Sequence, residues 1–293
     1  MARLKEIRSR IASIRNTRQV TSAMKMVSAA KLKKAQDSIL KITPYDKKLH
    51  QVLVELSQGE QEASSVYFST PEVKRVLILV VGANRGLCGA FNTNVIRLSL
   101  SHAIEKYGSL LETQSVDFLP VGRQIEKGLK SRGAQLIGEA NDLLNEFDFG
   151  AISQLTYRLM EWFREGRYQQ IDIIYNKFKN AAVQLLTSEQ YLPVKKEKTE
   201  GVVGERPVDY LFEPSQDEIL TSLVPQSLKM HLYRILLDSN AAEQGARMTA
   251  MHQATDNATE LLRELRTSYN NARQAAITNE ILEITAGAEA LKG

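Results

Sequence analysis

The chain reads as an α/β protein in which a long antiparallel coiled coil of the N- and C-terminal helices carries an α/β middle domain. Three features predict this. Residues 2–43 contain neither Gly nor Pro, and Gln226–Ala286 contains no Pro and a single Gly, Gly245. Between these stretches, short apolar runs alternate with helical periodicity, the pattern of a layered α/β structure. All seven prolines fall from Pro44 to Pro225, inside that middle region or at its borders. The expected division is residues 1–58 for the N-terminal coiled-coil helix, 72–195 for the α/β domain, and 208–293 for the C-terminal segment and its long helix.

The first helix opens with Leu4, Ile7, Ile11 and Ile14, apolar residues at steps of three and four. This seam suits supercoiling. It continues more weakly through Thr21, Met24 and Val27. Thr43-Pro44-Tyr45 reads as a bend, with helix resuming through Leu49, Val52, Leu53 and Leu56. The polar stretch 57–71 is a connector.

VKRVLILVVG at 73–82 has the unbroken apolar run of a buried parallel strand. A Gly-rich turn follows, then a helix over 91–107. SVDFLPVG is a second strand, and the residues after Arg123 form a short helix. A weaker strand is expected at Ala134–Gly138, a helix over 148–165, and a strand over 171–178. VQLLTSEQYL at 183–192 follows so closely that the last two strands pair antiparallel. KKEKTEGVVGERP at 195–207 reads as a solvated loop, and Pro214 and Pro225 stand near helix starts, where proline is tolerated.

The C-terminal helix carries its stripe on Leu228, Leu232, Ile235 and Leu236, then Leu261, Leu262, Leu265 and Tyr269, and finally Ile277, Ile281 and Ile284. The 61 residues of Gln226–Ala286 would extend roughly 90 Å as one helix. No domain of this size covers such a stripe along its whole length. The N-terminal helix, with its own unfinished seam, is the simplest partner. Small residues midway along both helices (Ser22, Ala23, Ser28, Ala29 and Ala30; Ala241, Ala242, Gly245, Ala246 and Ala250) permit close approach.

Composition narrows the function. The longest apolar run, VLILVV at 76–81, is strand-sized, so no membrane span is expected. The start MARLKEIRSR has no apolar signal region. One cysteine, Cys88, excludes an internal disulfide. Charge is unevenly spread: residues 1–48 hold 13 Lys and Arg against Glu6, Asp37 and Asp46, whereas 49–225 hold 18 basic and 23 acidic residues, and 226–293 hold 7 and 8. A basic rod of this kind seeks an acidic protein surface, an anionic membrane or nucleic acid.

Chemical motifs are missing. GANRGLCGAFN at 82–92 lacks the Lys-Ser/Thr pair of a phosphate loop, and Gly82, Gly86 and Gly89 are wrongly spaced for a dinucleotide fingerprint. The turn is expected to serve close backbone packing. The four histidines are far apart in sequence, and there is no GxSxG, HExxH or CxxC. No cofactor, metal or catalytic residue is expected.

TRQVTSAMKMVSAAKLKKAQ at 17–36, RGLCGAFN at 85–92, ARMTAMHQATDNA at 246–258 and YNNARQAAITNEILEITAGAEAL at 269–291 closely resemble the gamma subunit of the rotary ATP synthase, its central stalk. The resemblance runs end to end. It implies a coiled coil around a Rossmann-like middle domain that binds no nucleotide. It further implies a non-catalytic rotor subunit that transmits torque between a proton-driven c-ring and the catalytic head. The alpha and beta subunits would surround the coiled coil, and the epsilon subunit and the c-ring would meet its foot. The absence of a recognisable transit peptide suits a bacterial member, peripheral on the cytoplasmic face of the inner membrane. The paired-cysteine insert of the chloroplast type is missing.

Carried over position by position, the resemblance places Met24 opposite an acidic lever loop of beta, with Lys31, Lys33 and Lys34 in the same neighbourhood. Arg247, Arg273, Gln274, Thr278 and Glu280 match positions that hydrogen-bond to loops of the head. The alternative is a coiled-coil protein that binds nucleic acid through its basic N-terminal helix. It accounts for the charge, but not for the near-neutral C-terminal helix or the lack of interleaved aromatics.

Overall fold

The computed structural model describes residues 2–57, 66–69, 71–194 and 216–290. The solvated loop expected at 195–207, Pro214 and most of the 57–71 connector lie outside the described residues. The elements are α1 (Ala2–Ser57), a 3-10 turn (Val66–Phe68), β1 (Val76–Val81), α2 (Phe91–Glu112), β2 (Val116–Val121), α3 (Arg123–Lys130), α4 (Leu143–Glu146), α5 (Phe149–Arg164), β3 (Gln170–Phe178), β4 (Gln184–Leu192) and α6 (Gln216–Ala290). By internal contacts the chain divides into two compact units, Met1–Ser28 with Arg247–Gly293, and Ala29–Ala246.

The larger unit is organised on a four-stranded sheet of order β2-β1-β3-β4. β1 pairs parallel with β2 (Val76 opposite Val116) and with β3 (Val80 opposite Ile174), and β3 pairs antiparallel with β4. All six residues of β1 are buried, which explains its unbroken apolar run. Alternation along the strand divides them between two cores. Leu77, Leu79 and Val81 join Leu119, Ile171, Ile173, Leu155 and Leu159 of α5, and Leu228, Leu232 and Ile235 of α6. Val76, Ile78 and Val80 face the other way, onto Val95 and Ile96 of α2 and Ile125 and Leu129 of α3. The helix α5 begins where Asp148, in extended conformation, accepts a hydrogen bond from the Ala151 amide at 2.8 Å.

Three local expectations are corrected. The strand expected at Ala134–Gly138 is a single parallel bridge, Phe118 to Leu136, on the outer side of β2. The bend at Pro44 does not interrupt α1, which runs through it. Leu40, whose carbonyl loses its donor there, has an exposed side chain, and the Thr43 hydroxyl donates to the Ile39 carbonyl at 2.7 Å. Water can serve an orphan carbonyl on such a face. Pro225 likewise lies inside a helix rather than at its start, because α6 begins at Gln216. Leu220, Val224, Leu228 and Leu232 are buried on both sides of it, so core packing carries the helix past the proline.

In the smaller unit the two ends of the chain run antiparallel, as expected. Arg8 donates to the Tyr269 hydroxyl at 2.8 Å, and Thr21 and Thr255 share a hydrogen bond of 2.8 Å. Ile7, Thr21, Met251, Ala258 and Leu262 are buried along this seam. The predicted stripe is not buried throughout, and Leu261 is 45% exposed. Val27 is 55% exposed and Ser28 is 2% exposed, since a step of seven from Thr21 reaches Ser28. Ile277, Ile281 and Ile284 are exposed as well. Arg8 already stands opposite Tyr269, so the described part of α1 ends before it can cover them.

Candidate functional site

The residues singled out for coupling occupy helix surfaces and do not converge on one pocket. Lys31, Lys33 and Lys34 are exposed on α1 around the buried Leu32 and Ala35. Met24 is half-buried beside the seam. Arg273, Gln274, Thr278 and Glu280 are exposed near the end of α6, and the Thr278 hydroxyl donates to the Gln274 carbonyl at 3.0 Å. Arg247 departs from this pattern: only 7% of it is exposed.

In the Gly-rich turn after β1, packing accounts for Gly82. A Cβ on Gly82 would lie 2.3 Å from Ile125 Cγ1, so only glycine lets α3 approach. Two of the turn's backbone amides are committed internally. Gly82 donates to the Val121 carbonyl at 2.9 Å and Ala83 to Asn92 Oδ1 at 3.0 Å. These amides cannot also cradle a phosphate. Cys88, Phe91 and Ala83 pack against Ala242 of α6. Gly245 lies so close to the β3–β4 connection that a Cβ would meet Ala181 Cα at 3.3 Å. The small residues Ala242 and Gly245 thus admit the α/β domain, a use different from the helix-to-helix approach expected for them.

The structure also assembles buried ionic clusters that no sequence motif marks. Asp172 of β3, buried, has its Oδ2 2.7 Å from His102 Nε2, accepts from Lys106 Nζ at 2.9 Å and from the Tyr107 hydroxyl at 2.6 Å; its Oδ1 accepts from Gln170 at 2.9 Å. Burial disfavours the carboxylate, but these hydrogen bonds outweigh it and hold Asp172 at about 2. Burial and this carboxylate together push the Tyr107 hydroxyl up. On the opposite face, Asp117 accepts from Arg75 at 3.1 Å and from Tyr168 at 2.7 Å, and burial together with Asp117 raises Tyr168 to about 12.

A third cluster joins Asp46 of α1, Glu189 of β4, and His231, Arg234 and Asp238 of α6. Alternation and charge spacing could have suggested Lys106 and Arg234 as solvent-facing. Nothing local in the sequence names their carboxylate partners, which come from other elements. Among the described residues no group of three or more His, Cys, Asp or Glu side chains is arranged to hold a metal ion, and no described helix is long and apolar enough to cross a membrane.

Comparison with known proteins agrees with this geometry. The family model described as ATP synthase matches residues 3–291. The chain is 49% identical over 294 residues to the ATP synthase gamma chain of Flavobacterium johnsoniae, covering all of both chains. It is 46% identical to that of Cytophaga hutchinsonii, over 99% of each chain. Among solved structures it is similar to a chain of the Euglena gracilis mitochondrial ATP synthase, with a TM-score of 0.68 at 20% identity, covering 99% of this chain and 95% of that one. A chain of the Tetrahymena thermophila mitochondrial ATP synthase central stalk and c-ring matches with a TM-score of 0.56 at 23% identity, over 80% of this chain and 99% of that one. These two likenesses bear on the fold, while the end-to-end identity to the bacterial sequences bears on descent. The chain belongs to the ATP synthase gamma chain family.

Proposed function

We propose that this chain is the central rotor stalk of an ATP synthase, a non-catalytic subunit that carries torque between a proton-driven c-ring and a catalytic head of alpha and beta subunits. The observation that carries this reading is the antiparallel pairing of the chain's two ends, with Arg8 on Tyr269 and Thr21 on Thr255. The chain divides functionally into an N-terminal coiled-coil helix over 1–58, an anchoring α/β domain over 72–195, and a C-terminal segment with its long coiled-coil helix over 208–293. The subunit acts peripherally on the cytoplasmic face of a bacterial inner membrane, with the epsilon subunit and c-ring at its foot, and requires neither cofactor nor nucleic acid.

Met24 and the cations Lys31, Lys33 and Lys34 meet an acidic loop of beta, while Arg247, Arg273, Gln274, Thr278 and Glu280 bond to loops of the head. A rod whose sides differ in charge and bulk cannot touch three equivalent sites equally. Each orientation therefore biases the sites differently, because a ligand shifts an equilibrium only through differential contacts. Turning the rod moves those biases in sequence.

The deciding experiment fixes an assembled head to a surface and attaches a bead through a cysteine placed at exposed Arg132. ATP should drive rotation of the bead in one direction. A stationary bead with undiminished ATP hydrolysis would sink the reading.

A further inference from the structure

Three arginines from the two ends of the chain border one groove beside the seam of the smaller unit. Arg18 comes from α1, and Arg263 and Arg266 come from α6. The groove has a volume of about 290 Å³ and is floored by buried Leu262. Its place follows from the pairing of the helices. With Thr21 opposite Thr255, the turn of α1 that carries Arg18 lies beside the turn of α6 that carries Thr259. Thr259, Arg263, Arg266 and Asn270 then follow at steps of four, three and four, so one face of α6 turns them all toward the groove.

The three guanidinium groups have no counter-charge within the chain. Among the described residues, the ion pairs of this unit are Arg10 with Glu6 and His252 with Asp256, and neither involves a lining arginine. Glu260 and Glu264 border a neighbouring groove with Arg263 but form no ion pair with it. The Thr259 and Thr267 hydroxyls donate to the Thr255 and Arg263 carbonyls of their own helix, at 2.8 and 3.2 Å. The donors left to the groove are the three guanidinium groups and the Asn270 amide. Arg263 and Arg266, three apart on one helix face, repel each other, and Arg18 brings a third like charge.

Such a wall selects a multivalent anion. A carboxylate has two oxygens and a single charge, enough for one guanidinium fork or two. A phosphate has further oxygens and a second charge, and meets three forks from different directions. We propose that this groove binds a phosphate-class oxyanion, held between the two chain ends by Arg18, Arg263 and Arg266. The anion is either a free phosphate ion or the terminal phosphoryl group of a nucleotide. Binding relieves the repulsion among the three cations and ties α1 to α6 at one level. It therefore stabilises the pairing of the chain ends by mass action, whether or not the chain turns inside a head.

Titrating inorganic phosphate into the full chain tests this, in chloride buffer of constant ionic strength so that screening stays equal throughout. Hydrogen–deuterium exchange of amides within 14–21 and 255–270 is the readout. Protection should rise with phosphate and saturate. Arg18 is half-buried and the other two arginines are exposed, so glutamine at each should keep the fold. Arg18→Gln and Arg263→Gln should each raise the half-saturating concentration about tenfold, the loss expected for one charge-assisted hydrogen bond. Arg10→Gln, in a side chain paired with Glu6, should leave the titration unchanged. A parallel titration with ATP separates the two sources. Half-saturation below that of phosphate assigns the site to a phosphoryl chain, and half-saturation above it to the free ion. A response that never saturates, or one that persists in the variant with all three arginines changed to glutamine, would overturn the proposal.

Discussion

The hydroxyls of Thr21 and Thr255, 234 positions apart in sequence, share one hydrogen bond of 2.8 Å in the part-buried seam between the two chain ends. Each hydroxyl also reaches a backbone carbonyl of its own helix, Thr255 that of Met251 at 2.7 Å and Thr21 that of Arg18 at 3.1 Å, so either can be the donor of the pair. Two polar atoms thus stand at a seam position where aliphatic side chains would be expected, and each satisfies the other.

Replacing either threonine alone with valine should remove the hydrogen bond between the helices and leave its partner only the carbonyl of its own helix. The expected cost is about 1 kcal/mol for each single variant, with the double variant losing less than the sum. Chemical denaturation of all four forms measures it. Additive losses would show that the two hydroxyls do not depend on each other.

Asp172→Asn should destabilise the α/β unit by about 3 kcal/mol, because Lys106 and His102 would lose their buried carboxylate. The parent also has a characteristic acid response. Its Asp172 is held at about 2 against an ordinary 3.8, so the unfolded chain takes up that proton first. The associated stability is present above 3.8 and drains away as pH falls toward 2. Urea midpoints measured between pH 5 and pH 3 should drop less in the Asn variant than in the parent.

Gly82→Ala should cost about 1–3 kcal/mol by overpacking against Ile125. Shortening Ile125 to Ala in the same chain should recover part of that loss, since the clash is with Cγ1 and Cδ1 of its side chain. Thermal melting of the single and double variants checks this, and a double variant as unstable as the sum of the singles would place the strain elsewhere.

Arg273→Ala alters an exposed side chain and should leave the stability of the isolated chain within about 0.5 kcal/mol. In the assembled complex it should lower ATP hydrolysis, because the guanidinium is proposed to bond to the head. Met24→Lys should disturb ATP-driven proton pumping by adding attraction to an acidic loop. Unchanged rates in the reconstituted complex would remove either residue from the coupling surface.

Much of this architecture is written into local patterns. VLILVV reads as a buried strand, and residues 2–43, free of Gly and Pro, and 226–286, free of Pro with Gly245 alone, read as helices whose apolar stripes need a partner, which the opposite end supplies. Those properties depend on residues a few positions apart, and propensity and periodicity report them directly. The course of α1 through Pro44 and of α6 through Pro225 depends instead on solvent at one site and core contacts at the other. The same holds for the close approach at Gly245 and for the carboxylates that Lys106, His231 and Arg234 find on other elements. Such partners become neighbours only when the sheet brings residues tens or hundreds of positions apart within a few ångströms, and no short window of sequence carries that distance.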